Sequence, residues 1–191
     1  MGIRSFLAFE LPREIKTVVE RVAGEVRRSS LDVRWVKVEN IHLTVVFLGN
    51  MKPEDLEGIE KGAEETCRGY GPFNIALGGA GCFPNTRNPR VIWLGVEGDL
   101  DRMALFRDAL QEKLVPFGVK AEKRPFRPHL TLGRFKKPAK SDARLLEILS
   151  AHKDLTSPLC SLNELVLFKS DLKPGGAVYT KMLSWPLLGQ K

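Results

Sequence analysis

The tripeptide His-Leu-Thr occurs twice in this chain, in "IHLTVVFLGN" at residues 41–50 and in "PHLTLGRF" at 128–135. Each segment is apolar enough to be a buried strand, yet each carries an imidazole and, two residues on, a hydroxyl. Side chains alternate across a strand, so residues i and i+2 share a face. His42 and Thr44 therefore point one way, about 6–7 Å apart, while Leu43 and Val45 point into a core. His129 and Thr131 repeat this, with Leu130 and Leu132 opposite. The two copies lie about half the chain length apart, each preceded by a helical pattern, at 12–29 and 100–117. That repetition predicts an α+β protein of two similar lobes, with antiparallel sheets related by a pseudo-twofold axis, helices on their flanks and a cleft between them. The 191 residues are read as a single bilobal domain spanning 1–191.

The remaining pattern fits this frame. "IRSFLAFEL" (3–11) reads as a strand. Pro12 opens a helix whose Ile15, Val18, Val19, Val22 and Val26 follow helical spacing. Arg34–Val38 and Ile41–Leu48 read as strands, and Lys52-Pro53 starts a second helix. Strands are predicted at 72–83 and 89–98. Asp99 is placed as the N-cap of a third helix carrying Met103, Phe106, Leu110 and Leu114. A short strand follows at 129–135 and a fourth helix at 141–151. "LCSLNELVLFKS" and "GAVYTKMLSWPL" read as a closing hairpin across "DLKPGG".

Composition narrows the function. No segment approaches the roughly 18 apolar residues of a membrane span. The N-terminal apolar run is shorter than the about 7–15 residues of a signal-peptide core, and Phe6 stands where myristoylation requires Ser or Thr. A cytoplasmic protein, with no membrane partner, is expected. Cys67, Cys82 and Cys160 form no CxxC pair and read as reduced thiols, Cys160 in a strand. The net charge of +7 favours an anionic partner. Residues 120–140 hold Lys120, Lys123, Arg124, Arg127, Arg134, Lys136, Lys137 and Lys140 against one acid, Glu122.

Two facing imidazoles suit acid–base chemistry near neutral pH, one neutral and one protonated. In phosphoryl transfer the nucleophile and leaving group lie in line across phosphorus. One histidine can take a proton from water and the other can give one to the departing oxygen. The threonine hydroxyls can donate to non-bridging oxygens, with arginines stabilising the charge. Such a site needs no metal and no cofactor, and two histidines without a Cys or carboxylate partner are a poor zinc set. The third histidine, His152, reads as a surface residue at a helix end. By symmetry alone, either motif histidine can be the acid.

"RSFLAFELP", "IHLTVVFLGN", "PRVIWLGV" and "RPHLTLGRF" together resemble the 2H phosphoesterases, most closely the RNA 2′,3′-cyclic phosphodiesterase (2′-5′ RNA ligase-like) branch, over roughly residues 3–185. The resemblance implies hydrolysis of an RNA or nucleoside 2′,3′-cyclic phosphate to a 2′-phosphate. It assigns His42 as proton donor, His129 as proton acceptor, and Thr44, Thr131 and Arg134 as phosphate-binding residues. It turns the basic segment around His129 into an RNA phosphate track, with Lys123, Arg124 and Arg127 as candidates. Phe9, Phe47 and Phe83 are candidates for stacking on a base. The expected protein is a monomer acting on RNA or nucleotides with a cyclic phosphate end. Alternatives are 2′-5′ RNA ligation through the same site, or an RNA-binding module without catalysis.

Overall fold

The computed structural model describes residues 2–137, 139–140 and 142–190. In chain order it contains β1 (Ile3–Phe9), α1 (Arg13–Arg27), β2 (Val33–Trp35), β3 (Leu43–Met51), α2 (Leu56–Gly69), β4 (Phe73–Phe83), β5 (Val91–Gly98), α3 (Leu100–Leu114), β6 (His129–Phe135), α4 (Ala143–Ala151), β7 (Cys160–Leu162), β8 (Glu164–Lys173) and β9 (Gly176–Pro186). The strands form two sheets, ordered β3-β1-β8-β9 and β2-β6-β5-β4-β7. Every pair of named strands is antiparallel. The α+β class with two sheets is as expected, and each sheet carries one His-Leu-Thr segment.

The two sheets are not built from the two halves of the chain. β2 leaves the first half to pair with β6, with Val33 opposite Phe135 and Trp35 opposite Gly133. The C-terminal strands β8 and β9 complete the sheet of β1 and β3. The segment "LCSLNELVLFKS", expected as one strand, is two strands in different sheets. β7 pairs with β4 and β8 with β1, and Asn163 alone joins them. Hydrophobic alternation does not report which neighbour a strand chooses, so this exchange left no periodic trace.

Helix α1 buries Ile15, Val19, Val22 and Val26 of the stripe that its spacing predicts, with Ala23 beside them, while Val18 is only partly buried. Asp99 stands at the start of α3, but its carboxylate does not cap the helix. Its Oδ2 accepts from the Asn74 N–H at 2.9 Å and from Arg102 at 2.7 Å. At α4 the capping carboxylate is Asp142, which accepts from the Arg144 N–H at 2.8 Å. The expected start of that helix at 141 lies outside the described residues.

Alternate residues of β1 face two different clusters. Leu7 and Phe9 join a core that contains Ile15, Ile59, Met103 and Leu145 from the four helices and Leu94 and Leu130 from the other sheet. Phe6 and Ala8 pack with Val166 and Phe168 on the opposite face. That second face forms one wall of the cleft.

Candidate active site

A cleft of about 960 Å³ lies between the sheets, and His42, Thr44, His129, Thr131 and Arg134 all line it. The sequence had singled out all five. Simple alternation puts His42 with Thr44 and His129 with Thr131, but the place of Arg134 among them rests on a strand irregularity.

In β6, Gly133 faces Ile92 and Thr131 faces Trp93, so Leu132 is an extra residue in the ladder. Arg134 is an odd number of residues from His129, and a regular strand would place it on the far face. The bulge shifts the phase and returns Arg134 to the face of His129 and Thr131. Gly133 permits this, because a Cβ there would collide with Val33 and the Trp35 ring. In β3 the pairing of Ala8 with Thr44 and Leu7 with Val46 leaves Val45 extra, and Leu48 is extra after Phe47. Val45 and Val46 are consequently both buried, at 7% and 2% exposure. Phe47 returns to the cleft side opposite Phe6 and stays 66% exposed.

His42 sits one residue ahead of the β3 ladder rather than inside it. A single 3₁₀ turn, Val38–Asn40, carries the chain from one sheet to the other and delivers it there. The His42 Nδ1–H donates to the Asn40 carbonyl at 2.8 Å. The His129 Nδ1–H donates to the Arg127 carbonyl at 2.7 Å. A carbonyl only accepts, so each ring keeps its Nδ1 proton and leaves Nε2 as the nitrogen that can gain or lose one. The two motifs thus repeat the same local device, a histidine bonded to the carbonyl two residues earlier.

Aromatic neighbours hold both rings. Phe6 stacks on His42 with centroids 4.5 Å apart and planes at 22°. Tyr179 meets the His42 ring edge-on at 5.2 Å. Phe83 meets His129 edge-on at 4.9 Å, and Trp93 stands at 6.4 Å. Burial against these rings disfavours the imidazolium and lowers both pKa values below the ordinary histidine value. The backbone hydrogen bonds oppose that shift. His129 alone is lowered further by the charge of Arg134.

The Asn40 side chain donates to the Ala177 carbonyl at 2.8 Å, tying the carbonyl that orients His42 to the β8–β9 hairpin. Phe6, Tyr179 and Asn40 were missed in the sequence, since only the fold brings them beside His42.

The cations of the cleft differ from those expected. Arg4, Arg34, Lys37, Arg134 and Lys173 line it, with no Asp or Glu among the described residues. From the basic run at 120–140, only Arg134 reaches the described cleft wall. Arg124 folds back on Glu122, with its Nη2 2.6 Å from Oε2, and that carboxyl is held down at about 2. Arg127 contributes its backbone carbonyl. Of the expected stacking residues, Phe9 is fully buried in the core. Phe47 lines the cleft, and Phe83 packs on His129. His152 is buried rather than superficial, at 9% exposure, and its Nε2 lies 2.9 Å from Glu25 Oε2.

Among the described residues, no group of three or more His, Cys, Asp or Glu is placed to hold a metal ion. A cleft wall of five cations and no described carboxylate attracts anions and repels divalent cations. No described helix is long and apolar enough to cross a membrane.

The sequence pattern of the 2′-5′ RNA ligase superfamily matches residues 11–174. An RNA 2′,3′-cyclic phosphodiesterase of Methanothermobacter thermautotrophicus is 36% identical over 182 residues, covering 95% of this chain and 97% of that one. Its namesake from Archaeoglobus fulgidus is 33% identical over 179 residues, covering 93% and 96%. Among solved structures, a Thermus thermophilus protein superposes with a TM-score of 0.81 at 26% identity, over 99% of this chain and 100% of that one. E. coli LigT complexed with 3′-AMP superposes with a TM-score of 0.77 at 25% identity, over 98% and 99%. With a family match across most of its length, and relatives above 30% identity over nearly all of it, the chain belongs to the 2′-5′ RNA ligase superfamily.

Proposed function

We propose that the protein is an RNA 2′,3′-cyclic phosphodiesterase that hydrolyses the cyclic phosphate at an RNA or nucleotide end to a 2′-phosphate, without a metal. The observation that carries this reading is the paired presentation of His42 and His129, each with Nδ1 committed to a backbone carbonyl and Nε2 left for substrate in a cationic cleft. Binding alone requires no such acid–base pair.

In this reading His129 Nε2 takes a proton from water as its oxygen attacks phosphorus. The bond from phosphorus to O3′ breaks, and His42 Nε2 gives its proton to O3′. The 2′ oxygen keeps the phosphate. Thr44 and Thr131 donate to the non-bridging oxygens, and Arg134 neutralises the charge that grows on them. The order of acid and base is supported by Arg134. Its charge favours a neutral His129, the form a base needs, and no such cation is among the causes acting on His42. The approach of an anionic phosphate then favours protonation of His42. Replacing water by a 5′-hydroxyl would turn the same steps into 2′-5′ ligation. A monomer working in the cytoplasm is part of the same proposal.

Incubation of the protein in EDTA with adenosine 2′,3′-cyclic phosphate tests the reading. Turnover to the 2′-phosphate is expected. Dependence on added metal, or formation of the 3′-phosphate, would overturn it.

A further inference from the structure

Arg34 on β2 and Arg134 on β6 are direct cross-strand partners. Residues opposite each other on neighbouring strands share a face, and the strands run about 4.8 Å apart. Both side chains line the cleft, and neither has an ion-pair partner among the described residues. Like charges placed directly opposite destabilise a sheet. No described carboxylate lines the cleft to relieve them. Lys37, three residues after Arg34 on the crossing segment, adds a further cation to the same wall.

One cyclic phosphate is a single negative charge, and in the proposed mechanism Arg134 and two threonines already serve it. The Arg34 and Lys37 charges exceed what that phosphate requires. β2 is the edge of its sheet, beyond β6. A strand whose terminal phosphate sits at Arg134 can therefore leave the cleft over this edge, with its next phosphate beside Arg34.

Building on the phosphodiesterase reading, we infer that Arg34 and Lys37 form a second phosphate subsite, which holds the phosphodiester linking the terminal nucleoside to the one before it. The subsite makes the preferred substrate an RNA strand end rather than a cyclic mononucleotide. It lies on the β2 wall, distinct from Arg4 and Lys173 on the β1 and hairpin side.

The test compares kcat/KM for adenosine 2′,3′-cyclic phosphate and for an adenosine trinucleotide ending in the same group. The unmodified protein should favour the trinucleotide. Arg34→Ala should cut the trinucleotide-to-mononucleotide ratio about tenfold, chiefly through KM, as expected for a lost charged contact to phosphate. Lys37→Ala should lower it less. In parallel, affinity is measured by fluorescence anisotropy for the trinucleotide ending in a 2′-phosphate. The slope of log affinity against log salt should fall by about 0.7 in Arg34→Ala, the value for one phosphate contact to a single strand. A ratio near one in the unmodified protein overturns the subsite, as does an equal loss on both substrates in Arg34→Ala. So does a ratio that collapses in Arg4→Ala or Lys173→Ala but survives in Arg34→Ala, since the strand then leaves over the other wall. Absence of turnover on both substrates would instead overturn the phosphodiesterase reading, while the anisotropy arm still decides the subsite.

Discussion

Phe6 and His42 are stacked, with ring planes 22° apart and centroids at 4.5 Å, although Phe6 lies on β1 and His42 on the segment that leads into β3. The stack covers one face of the imidazole and removes it from water. Desolvation is the largest cause of the lowered His42 pKa. Phe6→Leu should therefore move that pKa upward, toward the ordinary value of 6.5. Titration of the imidazole C–H signals by NMR measures it. An unchanged or lower value would show that Phe6 does not set the proton affinity of His42.

Both histidines are lowered, and this fixes the position of the pH profile. A base of lowered pKa keeps its neutral form to lower pH, so the acidic limb of kcat/KM moves down. An acid of lowered pKa loses its proton earlier, so the basic limb moves down too. The profile should be bell-shaped, with its midpoint below pH 6.5, the value from which both are lowered. A flat profile from about pH 5 to 9 would contradict an acid–base pair.

In the proposed mechanism, substitution of either histidine removes a positioned proton carrier. His42→Ala and His129→Ala should each reduce kcat at least about 10²-fold. Arg134→Ala should cost a similar factor, about 10²–10³, as for one lost donor to a charged intermediate. It should also raise the pKa of His129 by removing an adjacent cation, shifting the acidic limb of the residual activity to higher pH. An unmoved acidic limb would assign the base role elsewhere.

Gly133→Ala tests the β6 bulge without touching a proposed catalytic side chain. The added methyl meets Val33 and Trp35. Overpacking of this kind costs about 1–3 kcal/mol. Denaturant unfolding reads that loss, and kcat/KM should fall as Arg134 is displaced. Full stability with full activity would mean that the bulge is not needed to aim Arg134.

The His152–Glu25 pair makes a separate prediction about stability. His152 also donates from Nδ1 to the Ile148 carbonyl at 2.9 Å, so it joins the end of α4 to α1. His152→Ala should cost about 1–2 kcal/mol from lost hydrogen bonds. Glu25 is held below its ordinary value of 4.5, with the His152 hydrogen bond as the first cause. The contribution of a carboxyl lowered in this way is present above 4.5 and lost as pH falls through its folded value. The variant should thus lose less stability than the parent on acidification through that range. Parallel stability curves would leave the pair without energetic weight.

The His-x-Thr segments could be read because a period of two needs no knowledge of partners. His42 with Thr44, and His129 with Thr131, share a face in any extended backbone. The helix α1 was legible for the same reason, since its stripe is local. Arg134 was named only through resemblance, because strict alternation places it on the far side. The bulge that returns it to the cleft depends on Ile92 and Trp93 in the next strand. The cleft cations Arg4, Arg34, Lys37 and Lys173 are dispersed through the sequence, and their convergence depends on sheet order. The dense run near 123–127 drew attention for its local charge, yet none of its side chains lines the cleft. His152 was misread as superficial because its partner Glu25 is remote in sequence and close only in the fold.

The passage of the chain between sheets, at residues 36–42 and again at Asn163, also governs how the molecule comes apart. A cut near the middle of the chain would release neither sheet whole: one fragment would carry β2 without β6, the other β8 without β1. The two histidine strands are thus clasped like two hands with interlaced fingers. Calorimetry should show one melting transition rather than two, and the spacing of the two imidazoles should persist until that transition begins.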